Sequence, residues 1–95
     1  MKIISSEFET KLLEITALSK KVNNNDKKKI LKMIKNHALE IEELYKEKND
    51  HWAIETADLI VLCYEMLLLE NKDIDDVFTQ CLPRFDIKLK ELLEK

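Results

Sequence analysis

Four acidic residues stand in two pairs near the middle of the chain, Glu40-x-x-Glu43 and Glu55-x-x-Asp58. Residues three apart lie on one face of a helix, so each pair presents its carboxylates together. The second pair leads straight into the apolar run Leu59-Ile60-Val61-Leu62, where burying a carboxylate without a partner costs several kcal/mol. Converging carboxylates cannot neutralise one another and require cations. A donor set made only of oxygen favours Mg²⁺, Mn²⁺ or Ca²⁺ over Zn²⁺. Mg²⁺ usually completes its shell with water and substrate phosphates. Such a cluster therefore suits a polyphosphate, whose charge it neutralises and to which it presents an activated water. Asp58 carries the most weight, because Asp is a poor helix former and stands where burial is otherwise indicated.

The elements that must position these acids are helices. Ser6-x-x-Glu9 reads as a capping box opening a first helix over about residues 7–21, with Phe8, Leu12, Ile15 and Leu18 as its apolar stripe. Asn23-Asn24-Asn25-Asp26 ends it, since Asn tolerates the left-handed conformation, and Asp26 can cap the next helix. That second helix is expected over Lys27–Lys48, with Ile30, Ile34, Ala38, Ile41 and Tyr45 as its stripe. At about 100° per residue, Glu40, Glu43 and Glu47 fall within a roughly 60° arc beside that stripe. Asn36 joins the arc one turn earlier, and Glu42 points elsewhere. Asn49-Asp50 supplies a turn, with Asp50 as the expected N-cap of a third helix over His51–Leu69. Packed antiparallel through that turn, the two acidic pairs reach similar heights, about 8–9 Å above it.

His51, Glu55, Asp58 and Glu65 share one side of the third helix, around Leu62. Leu59, Ile60, Val61 and Leu62 point in four directions, and a helix that is apolar all round is buried on all sides. A chain of 95 residues has few helices with which to surround it, so part of that surface is expected to face another subunit. Glu70-Asn71-Lys72-Asp73 forms a polar turn with Asp73 as N-cap for the last segment, Ile74–Lys95. Pro83 lacks a backbone donor and clashes with the preceding turn, which predicts a kink or break near residue 82.

Composition agrees with one all-α domain spanning residues 1–95. The chain has no glycine and one proline, with 45% hydrophobic and 37% charged residues, whereas tight hairpins usually need Gly-bearing turns. A formal net charge of −3 argues against a nucleic-acid duplex as partner, which needs a concentrated basic surface. Cys63 and Cys81 lie in apolar helical contexts without a CxxC pair, as expected of small buried hydrophobes in a reducing cytosol. Met-Lys-Ile-Ile-Ser-Ser-Glu at the N-terminus lacks the long apolar stretch of a signal peptide. No stretch is apolar enough to span a membrane, the longest being interrupted by Glu65. A cytoplasmic protein is the expectation.

At its acidic pairs the chain also resembles a known family. Glu40-Ile-Glu-Glu43-Leu followed by Glu55-Thr-Ala-Asp58-Leu-Ile is similar to the ExxE…ExxD signature of the all-α nucleoside triphosphate pyrophosphohydrolases. These include the MazG-type enzymes, the dimeric dUTPases and the dCTP pyrophosphatases. The resemblance covers most of the chain and implies a four-helix MazG-like bundle whose core is completed by oligomerisation, as a homodimer or homotetramer. It implies Mg²⁺-dependent hydrolysis of a (deoxy)nucleoside triphosphate between the α and β phosphates, with Mn²⁺ as an alternative ion. Glu40, Glu43, Glu55 and Asp58 would be the metal ligands, one glutamate also orienting the attacking water.

Substrate-binding candidates are weaker. Trp52, one turn before Glu55, can stack on a nucleobase, although an aromatic at this spacing also suits a core or an interface. Asn36 and His37 are further candidates, His51 can contact substrate or simply open its helix, and Lys46 or Lys48 can bind phosphate or be solvated. Many family members carry phosphate-contacting residues after the third helix. Here that region offers Arg84 and Lys88, four apart, on a face disturbed by Pro83. The competing expectation is a non-catalytic helical oligomerisation or interaction module, in which the acids serve only solubility.

Overall fold

Helix starts in this chain are written by side chains that accept from the first free amides. In the computed structural model, residues 5–94 are described; Met1–Ile4, which begin the N-terminal stretch expected to lack a signal peptide, and Lys95 lie outside them. The described residues form four helices, α1 (Ser6–Asn23), α2 (Lys27–Lys46), α3 (Trp52–Leu69) and α4 (Ile74–Leu93). Asp26 Oδ1 accepts from Lys29 N–H at 3.2 Å and Asp73 Oδ1 from Asp76 N–H at 3.2 Å, as expected of N-caps. At α1 the cap is Ser5, whose Oγ accepts from Phe8 N–H at 3.2 Å, and Ser6 is already helical. Its carbonyl accepts from Thr10 Oγ1 at 2.9 Å.

The α2–α3 turn also differs from expectation. α2 ends at Lys46, Lys48 takes a left-handed φ of 60°, and Asn49 Oδ1 accepts from His51 N–H at 3.0 Å. That Asn side-chain turn closes the connection two residues ahead of the helix, so Asp50 has no amide left to cap, and α3 starts at Trp52 without a side-chain cap. Asn24, Asn25 and Asn71 all take φ of 57°, the conformation that asparagine tolerates where glycine is absent.

Of the kink or break expected near residue 82, the break does not occur, for α4 runs unbroken through Pro83. Proline deprives the Thr79 carbonyl of its helical donor. Both residues are exposed, so water can take the donor's place.

Packing is concentrated in one helix pair. α2 and α3 run side by side, while α1 and α4 meet α3 over shorter stretches. Lys27 Nζ lies 2.8 Å from Glu70 Oε1, joining the start of α2 to the end of α3 in the antiparallel sense. The buried apolar side chains are Leu12, Ile30, Leu62 and Tyr64, and α4 has no buried residue. Phe85, Ile87, Leu89 and Leu92 on α4, Leu18 and Val22 on α1 and Ile60 on α3 are all exposed. The radius of gyration is 15.6 Å, against roughly 12 Å for a compact domain of this length. The four helices therefore do not close around a common core. None of the described helices is long and apolar enough to cross a membrane.

Cap geometry gives a direct contrast. Asp26→Ala should cost about 1 kcal/mol of stability, and Asp50→Ala less than about 0.5 kcal/mol, compared by urea denaturation. Equal costs would contradict the observed turn.

Candidate metal centre

The face that α2 turns toward α3 is not centred on its apolar stripe. Tyr45 and Ala38, counted in that stripe, are exposed, whereas Met33, His37 and Leu44 are half-buried beside Ile30, Ile34 and Ile41. At about 100° per residue this is a rotation of roughly 50° from the expected centre. It carries His37 into the middle of the α2–α3 seam and leaves Glu40, Glu43 and Glu47 on the exposed side.

α3 meets this seam with Glu55, whose carboxylate is 13% exposed. His37 Nε2 lies 3.3 Å from Glu55 Oε2, and His51 Nε2 lies 3.3 Å from Glu55 Oε1. Asp58, one turn further along α3, joins them. Ligand atoms of His37, Glu55 and Asp58 all lie within 4.8 Å of one another, close enough for a single cation to be shared. On the far side of His37, Nδ1 is 3.0 Å from the Met33 carbonyl.

Of the four predicted ligands, the structure thus brings Glu55 and Asp58 together and leaves Glu40 and Glu43 outside the cluster. His37 takes a place beside them. Its signal in the sequence is its position, three residues before Glu40 and one turn after Met33, read on a helix rotated toward its His side.

The cluster opens onto a groove of about 310 Å³ between α1, α2 and α3, lined by Ile15, Ser19, Met33, His37, Asp58 and Glu65 among others. Glu65 is 3% exposed, and its Oε1 has no hydrogen-bond partner among the described residues. It is therefore a buried carboxyl group rather than a solvated one, and no donor among the described residues offsets the burial of Oε1.

The remaining candidates lie elsewhere. Trp52 packs edge-on against Tyr45 across the turn, ring centroids 5.5 Å apart at 80°. The pair lines an open cleft of about 480 Å³ with Lys46, Lys48 and Asp50. Lys46 Nζ also donates to Glu42 at 2.8 Å. That hydrogen bond and the attraction between the two charges hold the Glu42 carboxyl below its usual range and the Lys46 ammonium above it. Asn36 is exposed. Arg84 and Lys88 line a small groove of about 170 Å³ with Cys81 and Phe85, all on α4, and do not reach the carboxylate cluster. Cys81 is half-buried and Cys63 exposed, so neither is the fully buried hydrophobe expected.

No protein family, characterised protein or solved structure matches the chain.

Removing the buried, unpartnered carboxyl oxygen should stabilise the metal-free protein. Glu65→Leu in the presence of EDTA is expected to raise unfolding stability by about 1–3 kcal/mol, measured by urea denaturation. A loss of stability would mean that Glu65 has a partner in solution.

Proposed function

We propose that this chain is a divalent-cation-dependent nucleoside triphosphate pyrophosphohydrolase of the MazG-like kind. One observation carries the reading: Glu55 and Asp58, half of the acidic signature, converge at the α2–α3 seam on a site open to solvent. The donor set fits a cation, because ligand atoms of His37, Glu55 and Asp58 lie within 4.8 Å of one another. Glu65, two turns beyond Asp58 in the same groove, adds a buried carboxyl oxygen with no partner among the described residues. A bound Mg²⁺, or Mn²⁺ in its place, would neutralise phosphate charge and lower the pKa of a coordinated water.

The roles of the residues follow from their positions. Glu55 and Asp58 would hold the cation from α3. Glu40 and Glu43, exposed one to two turns along α2 from His37, would approach phosphate-bound cations from solvent. A glutamate of this set takes the proton from the attacking water. The water oxygen adds to the α phosphorus, the α–β phosphoanhydride bond breaks, and nucleoside monophosphate and pyrophosphate leave. The Tyr45–Trp52 pair offers an aromatic face for a nucleobase beside Lys46 and Lys48. Arg84 and Lys88 reach a phosphate only from a neighbouring subunit or after α4 moves.

Assembly belongs to the same reading. The open shape and the exposed apolar side chains of α1, α3 and α4 support a homodimer or homotetramer in which a second copy covers them. The same exposed residues equally favour the second reading, an oligomerisation module without catalysis.

A panel of ribo- and deoxynucleoside triphosphates with Mg²⁺ or Mn²⁺, scored for pyrophosphate against phosphate, separates the two. Pyrophosphate release is expected for at least one substrate. Glu55→Gln and Asp58→Asn should each lower kcat/KM by about 100-fold or more, beyond the 10–100-fold typical of residues that only support a ligand. Wild-type rates in both variants would show the site to be misassigned, and silence across the whole panel would leave the interaction module. Sedimentation equilibrium should return a multiple of the 11.3 kDa chain mass; a monomer at micromolar concentration would contradict the assembly.

A further inference from the structure

We infer that His37 is itself a metal ligand, and that the cation held by His37, Glu55 and Asp58 is a borderline transition metal of the Mn²⁺ to Zn²⁺ series rather than Mg²⁺. The inference rests on the reading that Glu55 and Asp58 bind a cation, and not on the hydrolysis assigned to it.

The placement of His37 carries the argument: its Nε2 lies 3.3 Å from Glu55, and its ligand atom lies within 4.8 Å of those of Glu55 and Asp58. Its Nδ1 faces the Met33 carbonyl at 3.0 Å. A carbonyl can only accept, so partner chemistry assigns the proton to Nδ1. In the neutral ring Nε2 then presents a lone pair, and it faces the Glu55 carboxylate at 3.3 Å. Two acceptors at that distance repel unless a cation lies between them. A proton on Nε2 would satisfy Glu55 alone, whereas a metal ion also answers Asp58, whose oxygen lies within the same 4.8 Å cluster. Fixing one ring nitrogen on a backbone carbonyl so that the other is free to coordinate is the usual support for a metal-binding histidine.

Glu65 gives an independent observation. It lines the same groove as His37 and Asp58, is almost fully buried, and leaves Oε1 without a partner among the described residues. Glu55 meets only the imidazoles of His37 and His51, and among the described residues no lysine or arginine pairs with Glu55, Asp58 or Glu65. Nitrogen among the donors selects the metal. Imidazole suits transition ions, whereas Mg²⁺ is a hard ion with a strong preference for oxygen.

The test uses the metal alone, without nucleotide, on the full chain. Isothermal titration should show Mn²⁺ and Zn²⁺ binding more tightly than Mg²⁺. His37→Gln should weaken Mn²⁺ and Zn²⁺ by about tenfold or more while changing Mg²⁺ less. Electron spin echo envelope modulation of the Mn²⁺-loaded protein should show coupling to an imidazole nitrogen. That coupling should disappear in His37→Gln and persist in His51→Gln. Because the coupling is first measured on the wild-type chain, poor folding of a variant cannot hide the answer. Mn²⁺ bound without nitrogen coupling, or coupling that persists in His37→Gln, overturns the inference while leaving a carboxylate-bound ion and the hydrolase reading intact. Nitrogen-coupled Mn²⁺ in a chain that cleaves no nucleotide upholds the inference and removes the hydrolase reading instead.

Discussion

The α2–α3 contact is where this small fold must reconcile packing with charge. It is the most extensive helix contact in the chain, and an apolar seam alone would serve it best. Instead an imidazole and a carboxylate meet at 3.3 Å between the two helices, with Asp58 beside them and Glu65 buried one to two turns further along α3. Polar groups removed from water are costly unless compensated. The helix pair therefore gives up stability for a constellation that packing does not require, and such a departure is characteristic of functional sites.

The rest of the chain is arranged around that pair without enclosing it. α1 lays Leu12 and Thr16 into the core and borders the groove with Ile15 and Ser19. α4 adds no buried side chain and exposes Phe85, Leu89 and Leu92. A helix with that much exposed apolar surface gains little from its own chain, and the proposed assembly gives it a second surface to cover.

Much of this architecture is legible in the residues. The four helices and the Asn-rich turn follow from local chemistry: asparagines stand in for absent glycines, and Asp26 and Asp73 cap the helices they precede. Expectation and structure part where two local solutions compete. Ser5 and Ser6 can both cap α1, and the asparagine turn at Asn49 pre-empts Asp50. Pro83 has the chemistry of a helix breaker, but it lies on an exposed face where water can serve the freed carbonyl, and the helix continues. At the candidate site, Glu55 and Asp58 are legible because an acidic pair precedes an apolar run. His37 is legible only as a candidate substrate contact and not as a ligand, because rotation of α2 about its axis is set by tertiary packing: a modest shift exchanges Tyr45 and Ala38 for Met33 and His37 at the seam, while Glu40 and Glu43 stay exposed even though the shift turns them nearer to it.

The reaction itself is decided by where the oxygen of water goes. Hydrolysis of a cleaved nucleoside triphosphate in ¹⁸O-enriched water, with ³¹P nuclear magnetic resonance of the products, reports the phosphorus attacked. Attack at the α phosphorus places the label in the nucleoside monophosphate and leaves the pyrophosphate unlabelled. Label in pyrophosphate or in inorganic phosphate would contradict the chemistry assigned to Glu55 and Asp58.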